Sequence, residues 1–187
     1  MRLFLAINPP ARVRQGIWNA TASVRDAGPY VKWVAEARLH LTLKFLGEQP
    51  ESAAAPLVET IRAVGSTHLA PAMRVGELGA FPNFRRARVV WIGVDPDPRL
   101  ELLHHDIEVA CDRLGHAIEG RPFRPHITLG RVTERVGVDE LRALRSAAKK
   151  VRFTDEFTVT SIDMMQSTPG AAGSAYTTLA SATLRGL

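Results

Sequence analysis

The order His, aliphatic residue, Thr, Leu occurs twice in this chain, at residues 40–43 and again at residues 126–129. The chain contains 6 His, 13 Thr, 19 Leu and 8 Ile among its 187 residues. A shuffled sequence of that composition would contain roughly 0.006 copies of this order. The repetition therefore indicates a shared task for the two segments rather than an accident of composition.

Both segments alternate polar and apolar residues, as a half-buried β-strand does. His40 and Thr42 then share one face of their strand, as do His126 and Thr128 of the second strand. If the two polar faces meet across a cleft, two imidazoles and two hydroxyls surround one small volume. One imidazole can act as a neutral base and the other as a charged acid near neutral pH, while the hydroxyls donate to phosphate oxygens. This set of groups suits metal-free cleavage of a phosphodiester.

Lys44 follows Thr42 by two residues, so strict alternation places its ammonium on the same face as His40. We therefore predict that Lys44 contacts the substrate. A solvated surface charge is the plainer alternative.

We expect neither a metal ion nor another cofactor. A zinc site or a two-metal site needs His clustered with Asp or Glu, yet neither motif has a carboxylate at the neighbouring strand positions. The segment His-His-Asp at 104–106 lies in a predicted helix, where adjacent side chains diverge. The sequence also contains no GxxxxGK phosphate loop and no nucleophile elbow around a serine.

Strand alternation and helical spacing predict an α+β chain. One predicted helix follows Pro10, and another is capped by Asp97 and ended by Gly115. The predicted strands are 2–7, 30–34, 39–46, 72–78, 89–94, 126–132, 157–165 and 176–184. The helix that Asp97 caps is predicted at 98–114. Two further helices are predicted at 51–64 and 139–149.

The two motif histidines lie 86 positions apart, close to half the chain length. We therefore expect residues 1–187 to form a single domain of two lobes, approximately 1–94 and 95–187, related by a pseudo-two-fold axis. The terminal strands are free to cross between these lobes. Two mainly antiparallel sheets would face each other across a central cleft, with the helices on the outside.

The charge and cysteine content indicate the partner and the compartment. The formal net charge is +5, which favours an anionic partner, although an Arg-rich composition alone would also produce it. The single cysteine, Cys111, forms no internal disulfide, which fits a reducing cytoplasm. The N-terminal apolar run is too short for a signal peptide, and no window reaches the roughly 18 apolar residues of a membrane span.

Taken with the segments around them, the two motifs identify a resemblance to the two-histidine phosphoesterases. Within that superfamily the chain most resembles the RNA 2',3'-cyclic phosphodiesterases, formerly described as 2'-5' RNA ligases. The likeness covers nearly the whole chain. The segments that carry it are RLFLAINPP, VKWV, HLTLKFLGE, RARVVWIGV, RPHITLGR, FTVTSIDMMQS and YTTLASATL.

The resemblance implies a bilobal fold and metal-independent opening of a 2',3'-cyclic phosphate at an RNA end, which leaves a 2'-phosphate. Reversible, ATP-independent 2'-5' RNA ligation would be a second reaction at the same site. The resemblance also implies that His40 and His126 are the acid-base pair. Both assignments of the two roles stay open, and we favour the one in which His40 protonates the departing O3' and His126 activates water. Thr42 and Thr128 would donate to the phosphate.

Further substrate contacts follow from the same resemblance. Arg131 matches a basic position that contacts substrate, and a bulge at Gly130 would turn it toward the face of His126. Phe4 is a candidate to stack on a base, the alternative being plain core packing. The other arginines that flank strand ends, and that would guide an RNA backbone, are Arg85, Arg86, Arg88, Arg121 and Arg124.

The expected partner is an RNA that ends in a 2',3'-cyclic phosphate, with tRNA halves among the candidates. We expect a monomer with no membrane association. Two alternatives stay open at this point. One keeps the chemistry but applies it to a small cyclic nucleotide or an ADP-ribose cyclic phosphate, and the other is a non-catalytic RNA-binding module whose histidines contact phosphate.

Overall fold

The computed structural model describes residues 1–133, 136–170 and 174–186. Within these residues, nine β-strands and five α-helices follow one another along the chain. The strands are β1 (Arg2–Ile7), β2 (Val31–Trp33), β3 (Leu41–Glu48), β4 (Ala72–Phe81), β5 (Val89–Val94), β6 (His126–Val132), β7 (Thr154–Thr158), β8 (Ser161–Thr168) and β9 (Ala175–Thr183). The helices are α1 (Ala11–Ala20), α2 (Ala22–Asp26), α3 (Ala54–Thr67), α4 (Pro98–Asp112) and α5 (Val138–Lys150).

The strands form one antiparallel sheet in the order β7-β4-β5-β6-β3-β1-β8-β9, with β2 paired to β6. The two motif strands, β3 and β6, lie at its centre. A single residue pair, Leu41 with Ile127, joins them. The predicted α+β class with antiparallel strands is confirmed. The two predicted sheets are the two halves of one sheet, and these halves meet at this pair.

Each half of the sheet draws strands from both halves of the sequence. In one half, β1 and β3 lie beside β8 and β9, whereas in the other half β4 and β5 lie beside β6 and β7. This arrangement arises because β8 returns to pair with β1, which brings the two ends of the chain into the same half. The strand order therefore does not separate residues 1–94 from residues 95–187.

The helices pack on one face of the sheet in two groups. Helices α3 and α4 contact β3, β8 and β9, while α1 and α5 contact β7 and β4. Alternate residues of β1 show how the two faces differ: Leu3, Leu5 and Ile7 belong to the main core. Phe4 and Ala6 belong to a separate, smaller cluster. The helices thus cover the aliphatic face and leave the opposite face for the motif side chains.

Helix α4 begins as the sequence predicts. The Oδ1 atom of Asp97 accepts hydrogen bonds from the backbone N–H groups of Arg99 and Leu100, and Gly115 adopts the positive φ of a helix end. The helix itself ends at Asp112, three residues before that glycine. None of the helices in the described part of the chain is long and apolar enough to cross a membrane.

The predicted strand 157–165 is wrong, because two strands occupy that segment. Strand β7 ends at Thr158 and pairs with β4. Strand β8 begins at Ser161 and pairs with β1 in the other half of the sheet. The chain crosses between the halves here, and no change of composition marks the crossing.

Candidate active site

The pairing of Leu41 with Ile127 sets the position of both motifs. Both side chains are fully buried on the helix-covered face, so the residues on either side of them project to the opposite face. His40 and His126 are diagonal neighbours across this pair. Diagonal neighbours in a regular antiparallel ladder lie roughly 7–8 Å apart. The fold therefore places the two histidines on one face of the sheet, diagonally across its central pair.

Both imidazole rings are held in the same way. His40 Nδ1 lies 2.8 Å from the carbonyl oxygen of Arg38, and His126 Nδ1 lies 2.7 Å from that of Arg124. A carbonyl only accepts hydrogen bonds, so Nδ1 carries the proton and donates it in both rings. The Nε2 atom is thereby left in each ring as the nitrogen that takes up or releases a proton.

Aromatic side chains enclose each imidazole. The ring centres of Phe4 and Tyr176 lie 5.0 and 5.2 Å from that of His40. The ring centre of Phe81 lies 4.9 Å from that of His126. Burial lowers the pKa of both histidines, and the positive charge of Arg131 lowers the pKa of His126 further. Both rings are therefore biased toward the neutral form.

The two motif strands carry β-bulges at corresponding places. In β3, Thr42 pairs with Ala6 but Lys44 pairs with Leu5, so Leu43 is an extra residue. In β6, the pairing to β5 passes from Thr128 to Gly130 and skips Leu129. An extra residue reverses the alternation that follows it. The fifth residue after each histidine therefore returns to the histidine's face.

In β6 this reversal turns Arg131 toward the cleft. Arg131 pairs with Val89, and Thr128 pairs with Trp91 two residues along β5, so Arg131 and Thr128 share a face. The bulge expected at Gly130 lies one residue earlier, at Leu129, and the contact of Arg131 with substrate stays a prediction.

In β3 the same reversal removes Lys44 from the cleft, and the predicted placement beside His40 is wrong. Lys44 is only 5% exposed and lies on the helix-covered face. Its Nζ atom donates to Glu108 Oε2 at 2.5 Å and to the carbonyl oxygen of Ala117 at 2.9 Å. Phe45 takes the position that corresponds to Arg131, and its side chain is 67% exposed.

Phe4 lies at the site but not as a stacking platform. It is 3% exposed and packs against His40, Phe45 and Tyr176. A ring enclosed in this way offers no face to a base, which corrects the expectation of stacking. Phe45 and Tyr176 are the aromatic residues that the sequence did not single out, because both reach the site only through strand pairing.

The remaining arginines named from the sequence fall into two groups. Arg121 donates two hydrogen bonds of 3.0 Å to the carboxylate of Glu119. The others are exposed, and they are Arg85, Arg86, Arg88 and Arg124. Among the described residues, no group of three or more His, Cys, Asp or Glu side chains is placed to hold a metal ion.

The chain is similar to known proteins over nearly its whole length. A family model described as the 2'-5' RNA ligase superfamily matches residues 13–171. A Geobacillus stearothermophilus relative, named RNA 2',3'-cyclic phosphodiesterase, is 33% identical over 143 residues, which are 76% of this chain and 46% of that relative. A relative of the same name from Methanocaldococcus jannaschii is 30% identical, over 94% of this chain and 96% of the relative. A crystal structure of E. coli LigT complexed with 3'-AMP superposes with a TM-score of 0.78 at 29% identity, covering 98% of this chain and 97% of that chain.

Proposed function

The chain belongs to the 2'-5' RNA ligase superfamily, and from this premise we propose that it opens the 2',3'-cyclic phosphate of an RNA end to a 2'-phosphate with His40 and His126. It is an RNA 2',3'-cyclic phosphodiesterase, the name that its relatives carry. One observation supports the mechanism above all: the two imidazoles have the same tautomer and lie on the same face of the sheet at its central pair.

The reaction needs one proton acceptor and one proton donor. A water molecule attacks phosphorus and gives its proton to Nε2 of His126, while the bond from phosphorus to O3' breaks. His40 reacts in its charged form, with both ring nitrogens protonated. The departing O3' takes the proton from its Nε2, so the product keeps its phosphate on O2'. Exchange of protons with solvent then resets the two rings.

The division of roles rests on Arg131. Its positive charge lowers the pKa of His126 in addition to the effect of burial, whereas the pKa of His40 is lowered by burial alone. The guanidinium of Arg131 disfavours a positive charge on the neighbouring His126 ring. His126 therefore suits the base and His40 suits the acid.

Charge that gathers on the non-bridging oxygens needs donors in fixed positions. Thr42 and Thr128 stand beside the two histidines on the same face, and we assign their hydroxyls to these oxygens. The guanidinium of Arg131 reaches the same face. The bound phosphate is thus surrounded by two hydroxyls, a guanidinium and the two imidazoles.

The wider setting of the reaction is also a proposal. We propose a monomer as the active form, because the two motif strands pair with each other within one chain. Cys111 is buried and unpaired, which fits the reducing cytoplasm. RNA ends such as those of tRNA halves are the proposed substrates, and 2'-5' ligation is the parallel reaction in which a 5'-hydroxyl attacks phosphorus in place of water.

The direct test is product analysis after incubation with an oligonucleotide that ends in a 2',3'-cyclic phosphate, in the presence of EDTA. We expect a 2'-phosphate as the sole new end, identified against synthetic 2'- and 3'-phosphate standards. A 3'-phosphate would overturn the assignment of O3' as the leaving group. Loss of activity in EDTA would overturn the metal-free mechanism, and binding without turnover would favour the RNA-binding alternative.

Replacement of Arg131 with glutamine tests its electrostatic role. Removal of the positive charge raises the pKa of His126, so the acid limb of the profile of kcat/KM against pH moves to higher pH. Loss of a charged phosphate contact also lowers kcat/KM about 10-fold. Arg121→Gln is the matched control, because Arg121 is already paired with Glu119. An acid limb that stays in place in Arg131→Gln would contradict the proposed coupling.

A further inference from the structure

A cavity of about 390 Å³ opens beside His40. Its walls come from α1, β8, β9 and the segments next to His40 and β1, and His126 is not among its lining residues. The volume lies in the range of small-molecule sites. The mechanism above uses only the His40 wall of this cavity.

Two guanidinium groups line the cavity, those of Arg14 and Arg38. Each makes one short contact to a backbone carbonyl: Arg14 Nη1 donates to Pro9 at 2.7 Å and Arg38 Nη1 to Ser174 at 2.6 Å. No salt bridge joins either of them to an acidic residue of the described chain. Arg14 Nε is also buried without a hydrogen-bond partner there. A guanidinium has five N–H donors, so most of the donors in the cavity remain for a ligand.

One carboxylate, that of Asp163, also lines the cavity and must be taken into account. Its Oδ2 accepts from Asn8 Nδ2 at 2.6 Å and its Oδ1 from Ser161 Oγ at 3.1 Å. These neutral donors engage the carboxylate locally, and it is paired with neither arginine. With His40 neutral, the lining carries two positive charges against one negative charge. The cavity therefore favours an anion.

We propose that this cavity is a second anion site, which binds the phosphate on the 5' side of the terminal nucleotide. The inference rests on the proposed function, with the cyclic phosphate held between His40 and His126. Because His40 borders both places, an anion beside Arg14 and Arg38 lies next to the reacting group, and the terminal ribose connects the two phosphates. An RNA end always carries that 5'-linked phosphate, whereas a nucleoside 2',3'-cyclic phosphate lacks it.

The site therefore selects substrates by a phosphate that does not react. Guanidinium groups bind phosphate through charge-assisted, often bidentate hydrogen bonds. One such contact of 1.5–3 kcal/mol corresponds to a gain of about 10- to 100-fold in kcat/KM.

The test compares three substrates: adenosine 2',3'-cyclic phosphate, its 5'-phosphorylated form, and the dinucleotide ApA ending in the same cyclic phosphate. We expect kcat/KM of the wild-type protein to be at least 10-fold higher for the two substrates with a 5'-side phosphate. Arg14→Gln and Arg38→Gln should each reduce this preference toward 1. Arg12→Gln is the matched control on the same helix, because Arg12 is paired with Asp155 instead, and it should keep the preference.

Several outcomes would overturn the proposal. One is a wild-type protein that prefers only the dinucleotide, because the gain would then come from the second nucleoside and not from the phosphate. Another is an equal loss on all three substrates in Arg14→Gln and Arg38→Gln, which indicates a structural role. A third is a preference lost in Arg88→Gln but retained in both cavity variants. Failure of the proposed function looks different, since the wild-type protein would then turn over none of the three substrates.

Discussion

Replacement of His126 with asparagine lowers kcat on an RNA 2',3'-cyclic phosphate by about 10²- to 10⁴-fold, the range of a lost general base. The asparagine amide reaches the carbonyl oxygen of Arg124 as the Nδ1–H group of histidine does, so the local hydrogen bond survives. What disappears is the Nε2 atom that receives the proton of water. His40→Asn, which keeps the contact to the carbonyl of Arg38, should cost a similar factor through loss of the acid.

Steady-state kinetics of both single variants and of the double variant provide the measurement. Groups that act as one unit give strongly non-additive losses, so we expect the double variant to be little worse than either single one. His105→Asn is the matched control, because His105 is exposed on α4 and away from the cleft. A His126→Asn protein within 10-fold of the wild-type kcat would remove the central claim of the mechanism.

Lys44→Met destabilises the folded protein by about 3–5 kcal/mol, the cost of leaving a buried charge without its partner. The Lys44 and Glu108 side chains are 4% and 5% exposed, so water cannot replace the lost ion pair. Glu108 Oε2 also accepts the backbone N–H of Glu119 at 3.0 Å, and Lys44 donates to Ala117. The pair thereby ties β3 to the segment that leads into His126.

Urea denaturation at neutral pH measures this loss, with Lys150→Met as a control at an exposed lysine. The double variant Lys44→Met with Glu108→Leu should recover much of the loss, because no unpaired charge then remains in the core. A loss below 1 kcal/mol in Lys44→Met would show that the pair is solvated in solution. That result would reopen the possibility that Lys44 reaches the substrate.

The α+β class, the motif strands and helix α4 were accessible from local pattern. Alternation in residues 126–129, the Asp97 cap and the apolar spacing in α4 are short-range signals, which depend only on neighbours in the chain. The sequence pattern did not separate the two strands at 154–168. They are distinguished by their partners, because β7 pairs with β4 and β8 pairs with β1. Strand pairing over such separations leaves little trace in the segment itself.

The sequence by itself determined the proposed reactive groups: two imidazoles and two hydroxyls, with one imidazole and one hydroxyl on the same face of each strand. This follows from the residue types and from the alternation of side chains between the two faces of a strand. Only the tertiary structure decided which other residues join them. Bulges opposite β1 and β5 turn Lys44 into the core and bring Phe45 and Arg131 to the cleft. A bulge forms where two strands must keep pairing while the sheet bends, so its position is a property of both strands together and cannot be derived from either one alone.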